Sequence, residues 1–322
     1  MLFKMIGQLL VAVSFVQIMP VDASIFEYNA GVGSVEKTIF SEQELIASHA
    51  SLPISDNRDY PIKVNIDSYG IVTTAQSAIV VDDQSGAVLF EKHPDAIRSI
   101  GSVTKLMTAI VFFEQNPNLD QVVTLDQDLD YVGGGRVYMT YNDSVSLRDV
   151  LGASIVGSDN TATQSLVRFS GLSQDEFIAR MNQKAIELGM FNTSFYDATG
   201  VSAYNMSTAR ELVLLLDSAE GNEIISNLMK SKTYTVKQAS GRSVTIENTN
   251  GLLSTFMNEY PYKIIGGKTG YLPQAGYVLI TTIDNNGNSI HVVVMGSESK
   301  DARVSEAKGL AYWAFKTYKW PE

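Results

Sequence analysis

The chain has 322 residues, 45% of them apolar and 18% charged, with 24 glycines and 8 prolines. That is ample material for a buried core, and it excludes a disordered, collagen-like or coiled-coil protein. The formal charge of −11 argues against a broad electrostatic grip on nucleic acid. The absence of cysteine removes thiol nucleophiles, disulfides, Cys-ligated metals and a lipidated N-terminal cysteine.

In chain order, residues 1–4 carry one positive charge and residues 5–19 form a largely apolar run interrupted by Gln8 and Gln17. Val21-Asp22-Ala23 follows, completing the n-region, h-region and cleavage site of a secretory signal over residues 1–23. The apolar run is shorter than the roughly 20 residues of a membrane span. An uncleaved N-terminal anchor is the alternative. Residues 24–72, with weak periodicity and Pro53 and Pro61, read as a spacer or a partly packing N-terminal extension. Residues 75–81 and 87–90, around Asp83-Gln84-Ser85-Gly86, predict a β-hairpin. Apolar spacing predicts helices over 104–113, 147–169, 174–188 and 208–219. Strands are expected over 233–236, 244–247, 277–282 and 291–295, the last two joined by the turn Asp284-Asn285-Asn286-Gly287. A final helix is expected over 303–316. Strands at both ends of a helix-rich middle imply one antiparallel sheet with an inserted helical lobe.

Three short motifs carry chemistry, each weakly by itself. Ser102-Val103-Thr104-Lys105 begins a predicted helix, where residues three apart share a face, so hydroxyl and amine can meet. A serine needs an adjacent base, and an unprotonated lysine can serve. Bringing a lysine from about 10.4 to near 7 costs roughly 4–5 kcal/mol, which burial and a second cation can supply. Ser34…Lys37, Ser297…Lys300 and Ser305…Lys308 share the spacing, and a solvated surface pair is the bland alternative. Ser158-Asp159-Asn160 offers a proton-relaying hydroxyl and an orienting amide. It is equally a turn or helix cap, and Ser55-Asp56-Asn57 repeats it. Lys268-Thr269-Gly270 would place a cation and a hydroxyl on a strand, where the glycine lets a substrate backbone lie close. A phosphate loop competes, but it needs a glycine where Tyr262 stands.

Order separates the motifs from their decoys. Only Ser102, Ser158 and Lys268 give Ser-x-x-Lys, then Ser-x-Asn 56 residues on, then Lys-Thr-Gly 110 further. In this the sequence resembles the penicillin-recognising serine enzymes, and within them the low-molecular-weight D-alanyl-D-alanine carboxypeptidases. SVTKLMTA (102–109), FYDATG (195–200), Ser207-Thr208-Ala209-Arg210, Asn248-Thr249-Asn250 and GKTGYLPQAG (267–276) support the resemblance.

The resemblance implies an α/β (α+β) fold: an antiparallel five-stranded sheet flanked by helices, with an all-helical lobe at about 110–230, in a catalytic domain over 73–318 without a C-terminal β domain. It implies that Ser102 attacks the carbonyl between the terminal D-alanines of a peptidoglycan stem peptide while Lys105 takes its proton. Ser158 would pass a proton to the leaving D-alanine, and Asn160 would orient Lys105 and the substrate. Lys268 and Thr269 would hold the terminal carboxylate, Gly270 would lie close to the substrate backbone, and the N–H groups of Ser102 and Tyr271 would form the oxyanion hole. Arg303 stands where the family often has an arginine near the carboxylate; a helix-surface charge is the alternative. No metal or organic cofactor is called for. The expected partners are the D-Ala-D-Ala stem peptide and β-lactam antibiotics, with no nucleic acid. The expected location is outside the cytoplasm, in periplasm or cell wall, with membrane association through the N-terminus left open. A DD-endopeptidase acting on cross-links, a class A-like β-lactamase and a catalytically idle wall-binding protein are the alternatives. The β-lactamase would need a Glu-x-x-Leu-Asn loop where this chain reads Met190-Phe191-Asn192-Thr193-Ser194-Phe195-Tyr196.

Overall fold

The apolar runs near residue 80 and beyond residue 262 belong to one sheet. In the computed structural model, which describes residues 59–321, β1 (Ser77–Asp82) and β2 (Val88–Lys92) form the expected hairpin, its turn held by Asp82 Oδ2 accepting from the N–H and hydroxyl of Ser85. β3 (Thr233–Lys237) and β4 (Ser243–Glu247) make a separate two-stranded ribbon. β5 (Tyr262–Leu272), β6 (Gly276–Asn285) and β7 (Asn288–Ser297) complete a five-stranded antiparallel sheet of order β5–β6–β7–β1–β2. β5 was expected only as the bearer of Lys268; Gly266, Gly267 and Gly270 dilute its strand signal.

Both faces of this sheet are covered, which is why its central strands are apolar almost throughout. Alternate residues of a strand point to opposite faces. Ile79, Val81, Ile280 and Val293 accordingly join one core with the helical lobe, while Ala78, Val80, Leu279 and Val292 join a second with Leu310, Ala311 and Ala314 of the terminal helix. Each fully buried Val, Leu or Ile contributes about 1.5–3 kcal/mol.

The helices of eight residues or more are α1 (Thr104–Glu114), α2 (Leu147–Val156), α3 (Asn160–Arg168), α4 (Gln174–Glu187), α5 (Ala209–Glu220), α6 (Glu223–Lys230) and α7 (Lys300–Thr317). Side-chain caps start six of them, Ser146, Asp159, Ser173, Thr208, Asn222 and Ser299, with a full capping box between Ser173 and Glu176. The single helix expected over 147–169 is two. Its apolar periodicity runs on, but Ser158 adopts φ 58°, and the chain restarts on the Asp159 cap. α6 escaped notice because eight residues are too few to show a period.

Of the expected N-terminal extension, Ile62–Lys63 pairs with Tyr318–Lys319, and Ser68 Oγ accepts from Trp313 Nε1 at 2.6 Å. The expected signal at 1–23 and the extension up to residue 58 lie outside the described residues. No helix among the described residues is long and apolar enough to cross a membrane.

Candidate active site

Gly101–Val103 forms a 3-10 turn that feeds directly into α1. This puts Ser102 one turn ahead of Lys105, and Lys105 Nζ lies 3.0 Å from Ser102 Oγ. Lys105 is fully buried. Its amine also donates to Asn160 Oδ1 at 2.7 Å and to the Thr199 carbonyl at 2.5 Å. Burial brings its pKa down to about 7, against the opposing pull of the Asp159 and Asp197 carboxylates. With two N–H groups committed to Asn160 and Thr199, the lone pair of the neutral amine faces the Ser102 hydroxyl.

The left-handed backbone at Ser158 turns its hydroxyl toward β5, where Oγ accepts from Lys268 Nζ at 2.8 Å. Few non-glycine residues hold this conformation, and those that do cluster at functional sites. Asp159 holds the backbone in shape. Its Oδ1 caps α3 through Ala162 N–H, and its Oδ2 accepts from Tyr138 N–H at 3.0 Å. Asn160 reaches both ways, accepting from Lys105 and donating through Nδ2 to Gly133 O at 2.7 Å. Neighbouring side chains thus face Lys268, cap α3 and bracket Lys105.

β5 brings the third motif. Lys268 is buried, and burial with the charges of Lys105 and Arg303 holds its pKa well below the usual lysine range. Thr269 Oγ1 donates to Thr249 Oγ1 at 2.7 Å, tying Asn248-Thr249-Asn250 into the site. Gly270 is required by a close approach: a Cβ there would lie 2.2 Å from Ile100 O. Across the same contact, Tyr271 N lies 2.9 Å from where a Cβ on Gly101 would sit. The backbones of the turn and the strand therefore face each other where the two oxyanion N–H groups were expected.

Arg303 is neither a surface charge nor among the groove-lining side chains. It is buried under β5 and β6, donating to Gly270 O at 3.0 Å and Val278 O at 3.4 Å, and burial lowers its pKa to about 10. Its Nε has no partner. From this position it braces the Gly270 carbonyl, next to the Tyr271 N–H.

A cavity of about 690 Å³ opens over these groups, lined by Ser102, Ser158, Thr269 and Tyr271, and by Arg136, Glu247 and Lys300, which sequence reading missed. Glu247 adjoins the Asn248 motif, which was the available signal; nothing local marked Arg136. The carboxylates flanking residues 190–196 are engaged elsewhere. Glu187 pairs with Arg180 and Lys184, and buried Glu211 accepts from Asn192 and Thr193. Among the described residues, the set spaced to hold a metal is Asp83, Asp217 and His291, which shares no residue with this groove.

Residues 66–299 match the family model described as D-alanyl-D-alanine carboxypeptidase. The D-alanyl-D-alanine endopeptidase of Haemophilus influenzae is 38% identical over 208 residues, 64% of this chain and 69% of that protein. The D-alanyl-D-alanine carboxypeptidase of Streptomyces sp. strain K15 is 34% identical over 259 residues, 75% of this chain and 87% of that one. The crystal structure of the Streptomyces K15 DD-transpeptidase matches with a TM-score of 0.71 at 31% identity, covering 77% of this chain and 100% of that chain. Three ordered motifs, a five-stranded antiparallel sheet with a helical lobe, and these likenesses agree: the chain belongs to the D-alanyl-D-alanine carboxypeptidase family of serine hydrolases.

Proposed function

We propose that the enzyme trims the terminal D-alanine from peptidoglycan stem peptides through an acyl-enzyme on Ser102. The observation that carries this reading is the enclosed Lys105 amine, bonded to Ser102, Asn160 and Thr199. Neutral Lys105 takes the Ser102 proton as Oγ attacks the penultimate carbonyl, and the N–H groups of Ser102 and Tyr271 hold the resulting oxyanion. The substrate carboxylate, arriving beside Lys268 and Thr269, raises the proton affinity of Lys268. Its charge in turn keeps Lys105 neutral until the serine proton arrives. Ser158, bonded to Lys268, relays a proton to the leaving D-alanine nitrogen, and the C–N bond breaks. Water then cleaves the ester and restores Ser102.

The test is intact mass against time after benzylpenicillin addition, with Ser102→Ala alongside and D-alanine release measured on a soluble pentapeptide. A long-lived adduct absent from the variant is expected. An adduct that decays in seconds while penicillin is consumed would replace this reading with a β-lactamase. No adduct would point to an idle fold. A second reading, cleavage of cross-links, is favoured by the 38% identity to a protein named as an endopeptidase. Product analysis on a cross-linked muropeptide dimer separates the two. The site of action is outside the cytoplasm; cleavage of a signal after Ala23 and membrane attachment through an uncleaved one are the alternatives for how the enzyme is held there.

A further inference from the structure

The loop preceding α5 reaches Lys105 through the Thr199 carbonyl, and its backbone is pinned along its length. Asp197 Oδ1 accepts from the N–H of Thr199 at 2.6 Å and of Gly200 at 2.7 Å, and Oδ2 accepts from Ser202 N–H at 2.8 Å. Buried Asn205 accepts from the N–H of Tyr196 at 2.7 Å and donates to Thr104 Oγ1 on α1 at 3.0 Å. Gly200, at φ 86°, packs so closely on the nucleophile turn that a Cβ there would lie 2.2 Å from Gly101 O.

Two large aromatic side chains project from this frame into solvent. Tyr196 is 63% and Tyr204 66% exposed, with ring centroids 5.5 Å apart and planes at 47°. The exposed Val201 between them in sequence approaches the groove, its Cγ1 3.9 Å from the Cβ position of groove-lining Gly134. A ring pair held in place before any ligand arrives loses little further freedom on binding. Each ring offers an apolar face and a phenol hydroxyl that donates and accepts.

We infer that Tyr196 and Tyr204 form a binding platform for the glycan strand of peptidoglycan, on which the pyranose rings stack by their C–H faces. The inference rests on the peptidoglycan reading above. Its specific support is continuity: a stem peptide seated in the groove is tethered to a sugar polymer, and the ring pair lies on the loop whose Val201 approaches groove-lining Gly134. Sugars present what such rings match, apolar C–H faces edged by hydroxyl and N-acetyl groups.

The test uses the wild-type enzyme and two double variants, Tyr196→Ala/Tyr204→Ala and Tyr196→Phe/Tyr204→Phe. Binding is measured by co-sedimentation with insoluble glycan strands freed of stem peptides, with N-acetylglucosamine oligomers as competitor. We expect the alanine variant to bind the glycan about five- to tenfold more weakly, the range implied by one or two lost ring contacts. The phenylalanine variant should retain at least half the binding. D-Alanine release from a soluble pentapeptide and acylation by benzylpenicillin should change less than twofold in both. Wild-type protein that fails to sediment with stripped glycan, or an alanine variant that sediments equally, would overturn the platform. So would binding that the sugar oligomer does not compete, which would assign the rings to a protein partner. Absence of penicillin acylation in the wild type would instead overturn the peptidase reading, so the two failures are distinguishable.

Discussion

Ser102…Lys105 and Ser305…Lys308 share a spacing, and both lie on helical chain, yet only the first pair is built into a site. Ser305 is exposed in the interior of α7, and Lys308 lays its ammonium 5.8 Å from the centroid of the half-exposed Phe256 ring. Lys105 sits in a dry enclosure with two fixed acceptors, and Ser102 precedes α1, where backbone N–H groups are not consumed by the helix. Spacing supplies adjacency. Desolvation, acceptors brought from 55 and 94 residues away, and a free helix start give the first pair the environment that the proposed acylation requires.

This contrast can be broken or sharpened by experiment. Ser102→Ala should abolish the penicillin adduct outright, as read by intact mass. Lys105→Ala should lower the acylation rate by about 10²–10⁴-fold, the usual worth of a positioned base, whereas any residual rate above a tenth of wild type would mean another group takes the proton. Asn205→Ala removes a buried amide that bonds Tyr196, Asp197 and Thr104. It should cost roughly 2–3 kcal/mol in denaturant unfolding, because several buried groups lose partners together. Acylation should rise with pH through about 7 and level off above it, since the base acts only after losing its proton and the Lys105 pKa is about 7. Each unit below that midpoint should cost about tenfold; a flat profile from pH 5 to 8 would contradict a lysine base. Lys308→Ala should leave acylation unchanged and shift stability by less than about 0.5 kcal/mol.

Much of this was legible in the sequence because it is local or ordered. The turn residues marked two hairpins, apolar spacing marked the lobe helices apart from α6 and the break between α2 and α3, and motif order singled out Ser102, Ser158 and Lys268 from their decoys. What escaped was carried by groups without a residue signature. The Thr199 acceptor is a backbone carbonyl, which any side chain could have accompanied. The break between α2 and α3 falls at the polar Gly157-Ser158-Asp159-Asn160, whose cap signal was read, but the left-handed φ of Ser158 that ends the helical run was not. Arg303 was expected near the substrate carboxylate, or else as a helix-surface charge, and only the packing of α7 against β5 and β6 shows it buried on backbone carbonyls. Arg136 and Glu247 enter the groove from segments more than 100 residues apart, a juxtaposition no local pattern encodes.

β5 is also one of the two borders of the sheet. At Gly270 it lies against the nucleophile turn, and at Thr269 and Tyr271 it lines the groove. Such a border does not discriminate by itself: a stem peptide, a misfolded neighbour and a second copy of β5 could all add to it as a new strand. β2, the opposite border, carries Glu91 and Lys92, charges that discourage such pairing. β5 carries one exposed charge, Lys263, near its start, and glycines at 266, 267 and 270 make the rest a poor template. In the proposed mode of binding, a substrate strand and a second copy of β5 would compete for the same peptide groups, so each would exclude the other.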